Sequence, residues 1–235
     1  MNTKMKRARS LAAMAVLSAA SGIAAATPIV DAVGDFLPSY IASGRPTGAD
    51  LDVVSADVIY HPGSHSFEFI GTMAGAIGST LAIGSESPQY VWGIDRGAGT
   101  ERFLAGSPSI GDGVSFDAVF ILRPNGTATI NLFGLGGGAT NLPAATALVS
   151  GNTISAFLDE SYLPTQGKSL NAYTWNLWPR FGGGNNAQIS DFAPNVAGGA
   201  RDAANVAVTV PEPATLGLMG LGLLGLVSRR RQAKA

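Results

Sequence analysis

Between residues 54 and 177 the chain returns repeatedly to short stretches in which apolar and polar side chains alternate, each closed by turn residues. Val54, Ala56, Val58 and Tyr60 interleave with Ser55, Asp57 and Ile59, and Phe67 and Phe69 flank Glu68. Tyr90 to Ile94 form a third stretch, and Phe116, Ala118, Phe120 and Leu122 a fourth that faces Ala128, Ile130 and Leu132 across Arg123-Pro124-Asn125-Gly126-Thr127. Thr146–Val149, Thr153–Leu158 and Ala172–Leu177 continue the series. A period of two puts successive side chains on opposite faces of a strand, whereas a helix needs a period near 3.6, which no segment within 27–210 sustains. Asn125-Gly126 suits a tight hairpin, because both residues tolerate positive φ. The runs Gly136–Gly138 and Gly182–Gly184 carry too much backbone freedom for regular elements and read as loops. Strands with one apolar face must bury it, so the expectation is an all-β, antiparallel β-sandwich of jelly-roll type, with barrel closure as the alternative.

Both ends of the chain differ from this middle. Lys4, Lys6, Arg7 and Arg9 precede the mostly apolar Leu11–Ala20, and Ala24-Ala25-Ala26 offers a small-residue cleavage site. That pattern is a secretory signal peptide over residues 1–26, to be excluded from the fold. At the other end Pro211-Glu212-Pro213 leads into an uncharged Gly/Leu-rich stretch, 214–228, followed by Arg229-Arg230-Arg231. The stretch would span about 22 Å as a helix at roughly 1.5 Å per residue. That is short against a hydrocarbon core about 30 Å thick, although the arginines can snorkel to the inner interface and orient the tail with its C-terminus inside. The expected organisation is therefore 1–26 signal peptide, 27–210 β-sandwich passenger and a separate C-terminal segment, 211–235. That segment comprises a Pro-Glu-Pro motif, a short hydrophobic transmembrane helix and a basic tail.

In this order at the C-terminus, Pro211, Glu212, Pro213, the apolar stretch and Arg229, Arg230 and Arg231 resemble the PEP-CTERM sorting signal of Gram-negative bacteria. The resemblance covers residues 211–235 and implies recognition by an exosortase, a membrane-embedded cysteine protease, after passage through the general secretion machinery. It further implies transient residence at the inner membrane and a final place at the cell surface or outside the cell, often beside exopolysaccharide.

With the ends removed, the charge balance changes. The whole chain carries 16 acidic and 15 basic residues. Residues 27–210 keep 15 acidic and 7 basic ones, a net charge of 7 − 15 = −8. Such a passenger is a poor nucleic-acid partner, since phosphate contacts need basic side chains, and it can favour cations. Cysteine is absent, which excludes a thiol nucleophile, thiolate metal sites and disulfides, so packing or ligand binding must hold the domain together. Gly34-Asp35-Phe36, Asp50-Leu51-Asp52, Trp92-Gly93-Ile94-Asp95-Arg96-Gly97 and Tyr173-Thr174-Trp175-Asn176-Leu177-Trp178-Pro179-Arg180 look like a passenger type that recurs among PEP-CTERM proteins. These short cues, scattered over 34–180, are also similar to the β-sandwiches of the DOMON and family 9 carbohydrate-binding groups. That similarity implies a sugar or haem ligand and, in some members, structural calcium.

Several residues are candidates for chemistry. Trp175 and Trp178 are three apart, so on one strand they face opposite sides. With Trp175 inward, Trp178 would face outward beside Arg180, where an aromatic ring next to a polar group can stack on a sugar; burial of all three tryptophans in the core is the plainer alternative. Asp95, Arg96, Glu101 and Arg102 surround Gly97 and Gly99 as a surface ion-pair network; alternatively the two acids help hold a calcium ion and the two arginines reach a carboxylated glycan, with Asp95 and Arg96 as the candidate glycan-binding residues. Asp50 and Asp52 are the candidate calcium ligands, with Asp31 and Asp35 nearby in sequence; ordinary solubilising carboxylates are the alternative. His61 and His65 flank a turn and lack a third ligand for zinc. No Gly-x-Ser-x-Gly, His-Glu-x-x-His or phosphate-loop motif is present, and the adjacent Asp159 and Glu160 face opposite ways, so no enzyme activity is expected. The reading is an exported, exosortase-processed surface or matrix protein that binds polysaccharide. A secreted glycan-active hydrolase and a structural or adhesive protein–protein module are the alternatives. Mass spectrometry of the protein recovered outside the cytoplasm should find neither residues 1–26 nor Arg229–Arg231; an intact arginine tail would contradict processing near Pro211.

Overall fold

The alternation becomes two antiparallel sheets packed face to face. The computed structural model describes residues 28–134, 137–195 and 203–211. Its strands are β1 (Ile29–Val30), β2 (Val53–His61), β3 (Ser66–Met73), β4 (Pro88–Asp95), β5 (Ala118–Leu122), β6 (Ala128–Leu132), β7 (Gly138–Asn141), β8 (Leu148–Ser150), β9 (Thr153–Asp159), β10 (Thr174–Phe181) and β11 (Val206–Ala207). One short helix, α1 (Pro38–Ala42), lies between β1 and β2. The first sheet has the order β1-β2-β3-β9-β8 and the second β11-β10-β4-β5-β6-β7. The all-β, two-sheet expectation agrees with this architecture.

The inner faces meet in one aromatic core. β2 contributes Ala56, Val58 and Tyr60, β3 contributes Phe67, Phe69 and Met73, and β9 contributes Ile154, Ala156 and Leu158. Against them lie Tyr90, Trp92 and Ile94 of β4, Phe120 and Leu122 of β5, Ile130 of β6, and Trp175 and Leu177 of β10. Phe69 sits edge-on to both Trp92 and Phe120, with ring centroids 5.9 and 4.8 Å away, a favoured arrangement for aromatic quadrupoles.

The second sheet is also covered on its outer face, and alternation alone does not announce this. Long connections between β4 and β5 and after β10 lay Phe103, Ile110, Val114, Phe116, Ile189 and Phe192 over Val91, Val119 and Trp178. β4 and β10 are consequently buried almost continuously along their length. Gly93 permits this layer. A Cβ there would stand 2.0 Å from the Trp178 ring, so only glycine lets the indole lie across the neighbouring strand.

Three local expectations change. The register slips between Val53 and Ser55, where β2 carries an extra residue, so Val53 rather than Val54 enters the core. Of the turn pair Asn125-Gly126, only Gly126 adopts positive φ, 85°, while Asn125 Oδ1 accepts the Thr127 N–H and hydroxyl. Gly138, expected in a loop, opens edge strand β7, whose residues are all exposed; backbone pairing to β6 suffices there without an apolar face.

One expectation is corrected outright. No helix among the described residues is long and apolar enough to cross a membrane, so the transmembrane helix is withdrawn. Residues 1–26 and 214–228, for which a signal peptide and a hydrophobic helix are expected, lie outside the described residues. The described residues belong to one compact unit spanning 25–211.

Phe69→Ala should cost about 3–5 kcal/mol in urea unfolding, since it empties the centre of the core. Phe157→Ala on the exposed face of β9 should stay within roughly 0.5 kcal/mol.

Candidate functional site

A groove of about 510 Å³ opens on the outer face of the second sheet, where the covering layer stops short. Its floor is built by strand register. Trp178 pairs with Val91 and Arg180 with Gln89 across β10 and β4, and Val91 pairs with Ile121 across β4 and β5. All of these point away from the core because their odd–even neighbours Tyr90, Trp92, Leu122 and Leu177 point into it. Asn131 on β6 and Phe133 just after it, with Phe103 and Phe116 from the covering layer, complete the wall.

Three arginines reach this groove: Arg102, Arg123 and Arg180. Arg102 lies 4.4 Å above the Phe133 ring centroid and donates from Nε to the Phe116 carbonyl at 3.1 Å. Arg123 donates to the Thr129 hydroxyl at 3.1 Å. Arg180 donates to the carbonyls of Gly182 and Asn185 and to Gln188 Oε1. All three use neutral partners, and no carboxylate among the described residues lines the groove. Burial lowers the Arg123 guanidinium from its usual range. Burial, then repulsion from Arg45, pushes Arg180 down to about 10, which still leaves it charged at neutral pH.

The charge inventory makes this grouping informative. The passenger's basic residues are Arg45, Arg96, Arg102, Arg123, Lys168, Arg180 and Arg201, of which Arg201 lies outside the described residues. Arg45 pairs with Glu86, Arg96 with Asp117 and Lys168 with Asp95. Among the described residues, the three without a carboxylate partner are the three in the groove.

The residues singled out from the sequence separate. Trp175 and Trp178 do face opposite sides of β10, and Trp178 does neighbour Arg180, but Trp178 is 1% exposed. Its ring is enclosed by Phe103 at 4.8 Å and Phe116 at 5.0 Å, so it shapes the groove and presents no open face for stacking. Arg96 is fully buried and locked onto Asp117 at 2.8 Å, with further bonds to the Asp117 and Pro164 carbonyls, which takes it out of reach of a glycan. Asp95 accepts from the Gly97 and Gly99 N–H groups and from Lys168 Nζ at 2.6 Å, holding its own loop. Glu101 accepts from the Gly113 N–H, so the expected surface network of 95, 96, 101 and 102 does not form. His61 bonds Glu68 and His65 bonds Glu160, each alone.

The acidic candidates also part company. Asp50 turns to the 78–80 loop, accepting the Gly78 and Thr80 N–H groups and the Thr80 hydroxyl, and serves as a loop staple. Asp52 stays near Asp35, and the partner that joins this side is Asp191, which no sequence spacing places there. Asp31, Asp35 and Asp191 each offer a carboxylate oxygen within 4.8 Å of the others, a group that can hold a cation. Burial first, and then the neighbouring carboxylates, raise Asp191 to about 9 and Asp31 to about 7.

Beside the groove and the acidic cluster, the end of the described chain ties the two sheets together. β11 pairs with β10 of the second sheet, and Thr209 exchanges backbone bonds with Val58 and Tyr60 of the first. Comparison with known families bears on the residues that begin there. Residues 209–231 match the PEP-CTERM protein-sorting motif. The chain is thus exported and handled by the exosortase sorting system, as a surface or secreted protein. No curated protein and no solved structure matches it significantly. The motif match starts at a residue welded into the sandwich, so the Pro-Glu-Pro segment follows the folded domain with only Val210 between.

Arg96 and Asp117 hold the loops that carry Arg102 and Phe116. Asp117→Ala should destabilise the domain by about 3–5 kcal/mol in urea unfolding, because it strands a buried guanidinium.

Proposed function

We propose that the passenger is a non-enzymatic polysaccharide-binding module, and that its ligand is an acidic polymer held in the arginine groove. The observation that carries this reading is the grouping of Arg102, Arg123 and Arg180, unpaired with carboxylates, in one groove of an otherwise acidic domain. Guanidinium forks match carboxylate and sulfate geometry, and Gln89 and Asn131 add neutral donors and acceptors for hydroxyls. An acidic surface around a basic groove repels the same polymer elsewhere and directs it to one track. A surface-sorted protein meets such polymers in the extracellular matrix. The passenger's similarity to carbohydrate-binding β-sandwiches agrees with this ligand class, although the contacts fall on different residues from Trp178, Asp95 and Arg96. Hydrolysis is disfavoured because, among the described residues, no carboxylate lines the groove to act as general acid or nucleophile. The acidic cluster serves calcium in this reading, not the glycan.

An adhesive role has one observation of its own. Leu148 and Phe157, 52% and 56% exposed, stand on the outer face of the first sheet. Concentration-dependent self-association abolished by Phe157→Ser would favour it.

Binding of a uronic-acid polymer such as polygalacturonate, followed by calorimetry, tests the main proposal. The acidic polymer should bind and neutral dextran should not, with affinity falling as salt screens the charges. Arg102→Ala, Arg123→Ala and Arg180→Ala should each weaken binding about tenfold, in keeping with roughly 1.5–3 kcal/mol for a charged hydrogen bond. Equal binding of both polymers, or none of either, would sink the proposal.

A further inference from the structure

The cluster around Asp191 joins three parts of the chain that are far apart in sequence. Asp31 and Asp35 follow β1, Asp52 immediately precedes β2, and Asp191 lies ten residues beyond the end of β10. Asp191 is 1% exposed and accepts the Val53 and Phe192 N–H groups. Asp52 is 3% exposed, and one of its oxygens accepts the Gly34 N–H. Asn195 donates to Asp35. Beyond these four donors the cluster is short of positive charge, since none of the ion pairs among the described residues involves it.

Three buried oxygens there have no hydrogen-bond partner: Asp31 Oδ2, Asp35 Oδ1 and Asp52 Oδ1. Asp52 is not one of the three mutually close carboxylates, yet it feels the Asp35 charge, and Asp31 feels that of Asp52. A buried carboxylate oxygen without a partner is costly, and several together more so. Protons relieve only part of this. A proton shared by Asp31 and Asp191 leaves the orphaned oxygens of Asp35 and Asp52 as they were. A hard divalent cation among Asp31, Asp35 and Asp191 supplies the positive charge that the cluster lacks, with Asp52 near enough to feel it. Two oxygens on one calcium ion, each bound at 2.3–2.6 Å, stand at most about 5 Å apart, and the 4.8 Å limit on the Asp31, Asp35 and Asp191 oxygens falls within this.

Resting on the calcium reading of this cluster, we infer that a calcium ion held by Asp31, Asp35 and Asp191, with Asp52 beside it, clasps the segment 28–37 onto the sandwich. Apart from the packing of the partly buried Ile29, Phe36 and Leu37 against the sandwich, this segment has few other ties. β1 is two residues long, and beyond it the segment is tied by single bonds such as Asp31 N–H to the Val54 carbonyl and Leu37 N–H to the Ser190 carbonyl. A metal that closes so long a loop constrains the unfolded chain most, which suits a domain without disulfides.

The purified full chain is titrated with CaCl2 by calorimetry, and its melting is followed in EDTA and in calcium. The expected result is one site per chain, with Kd in the roughly 10⁻⁴–10⁻³ M range of extracellular calcium modules, and a melting temperature that rises with calcium. Asp35→Asn and Asp191→Asn should each weaken binding at least tenfold. Asp35→Asn should also melt in EDTA no lower than the parent, because it removes a negative charge from the crowded cluster. Limited proteolysis within 28–37 should slow at least tenfold in calcium. The absence of both binding heat and a melting shift, at calcium concentrations above that range, would overturn the calcium site itself. Calcium binding with unchanged cleavage in 28–37 would overturn the clasp, and an equal response to magnesium would overturn the choice of ion. None of these outcomes depends on what the arginine groove binds.

Discussion

The second sheet is buried on both faces, and the arrangement of everything around it depends on this. Its inner face joins the aromatic core, while its outer face carries a second apolar layer centred on Trp178. That layer forms because Gly93 leaves room for an indole across the strand beside it. The long connections that supply Phe103, Phe116 and Phe192 must then run over the sheet, and they need a rigid polar anchor at their base. Arg96 and Asp117 provide it, fully buried and joined by side-chain and backbone hydrogen bonds. Such a pair adds little net stability against an apolar replacement, but breaking it leaves a charge without a partner. It specifies where the loops go.

The groove is the part of the outer face that the second layer leaves open. Its polarity follows from placement rather than from composition. An acidic domain has few cations to distribute, and half of those described are consumed in ion pairs elsewhere. The remaining three project from β5, β10 and the covering loop into one volume, where their partners are carbonyls, a hydroxyl, an amide and a ring. At the opposite extreme, carboxylates gather around Asp191 without a cation among them. The molecule therefore carries two uncompensated sites of opposite sign. One is suited to an anionic polymer and the other to a metal ion.

Much of the strand pattern was legible before any coordinates. The stretches at 54–60, 67–69, 90–94, 128–132 and 153–158 all lie in strands, because period-two burial leaves a direct trace in residue type; the stretch at 116–122 does so only from Ala118, since Phe116 leaves the shared face for the outer layer. β1, β7 and β11 left none. They are edge strands held by backbone pairing, and backbone hydrogen bonds do not select side chains strongly. The Val53–Ser55 bulge was equally silent, since an extra residue in a strand changes parity without changing composition. Among the candidate site residues, Arg180 was found beside Trp178 as the strand spacing implied. Sequence context offers Arg102 as an ion-pair or glycan-contact residue and Arg123 only as part of a turn, and Asp191 has no neighbour in sequence to draw attention to it.

Sequence alone determined two things about this protein. One is its sorting, because Pro211-Glu212-Pro213, the apolar stretch and Arg229-Arg230-Arg231 act as a contiguous signal that needs no folded context. The other is its all-β character, because alternation is a local property. Only the tertiary structure decided which charges are free. Arg96 and Arg102 are six residues apart and chemically identical, yet one is sealed against Asp117 and the other faces an open groove. Whether a charge is compensated depends on what long-range packing brings beside it, and residues 31 and 191 become neighbours only when two sheets have closed over a common core.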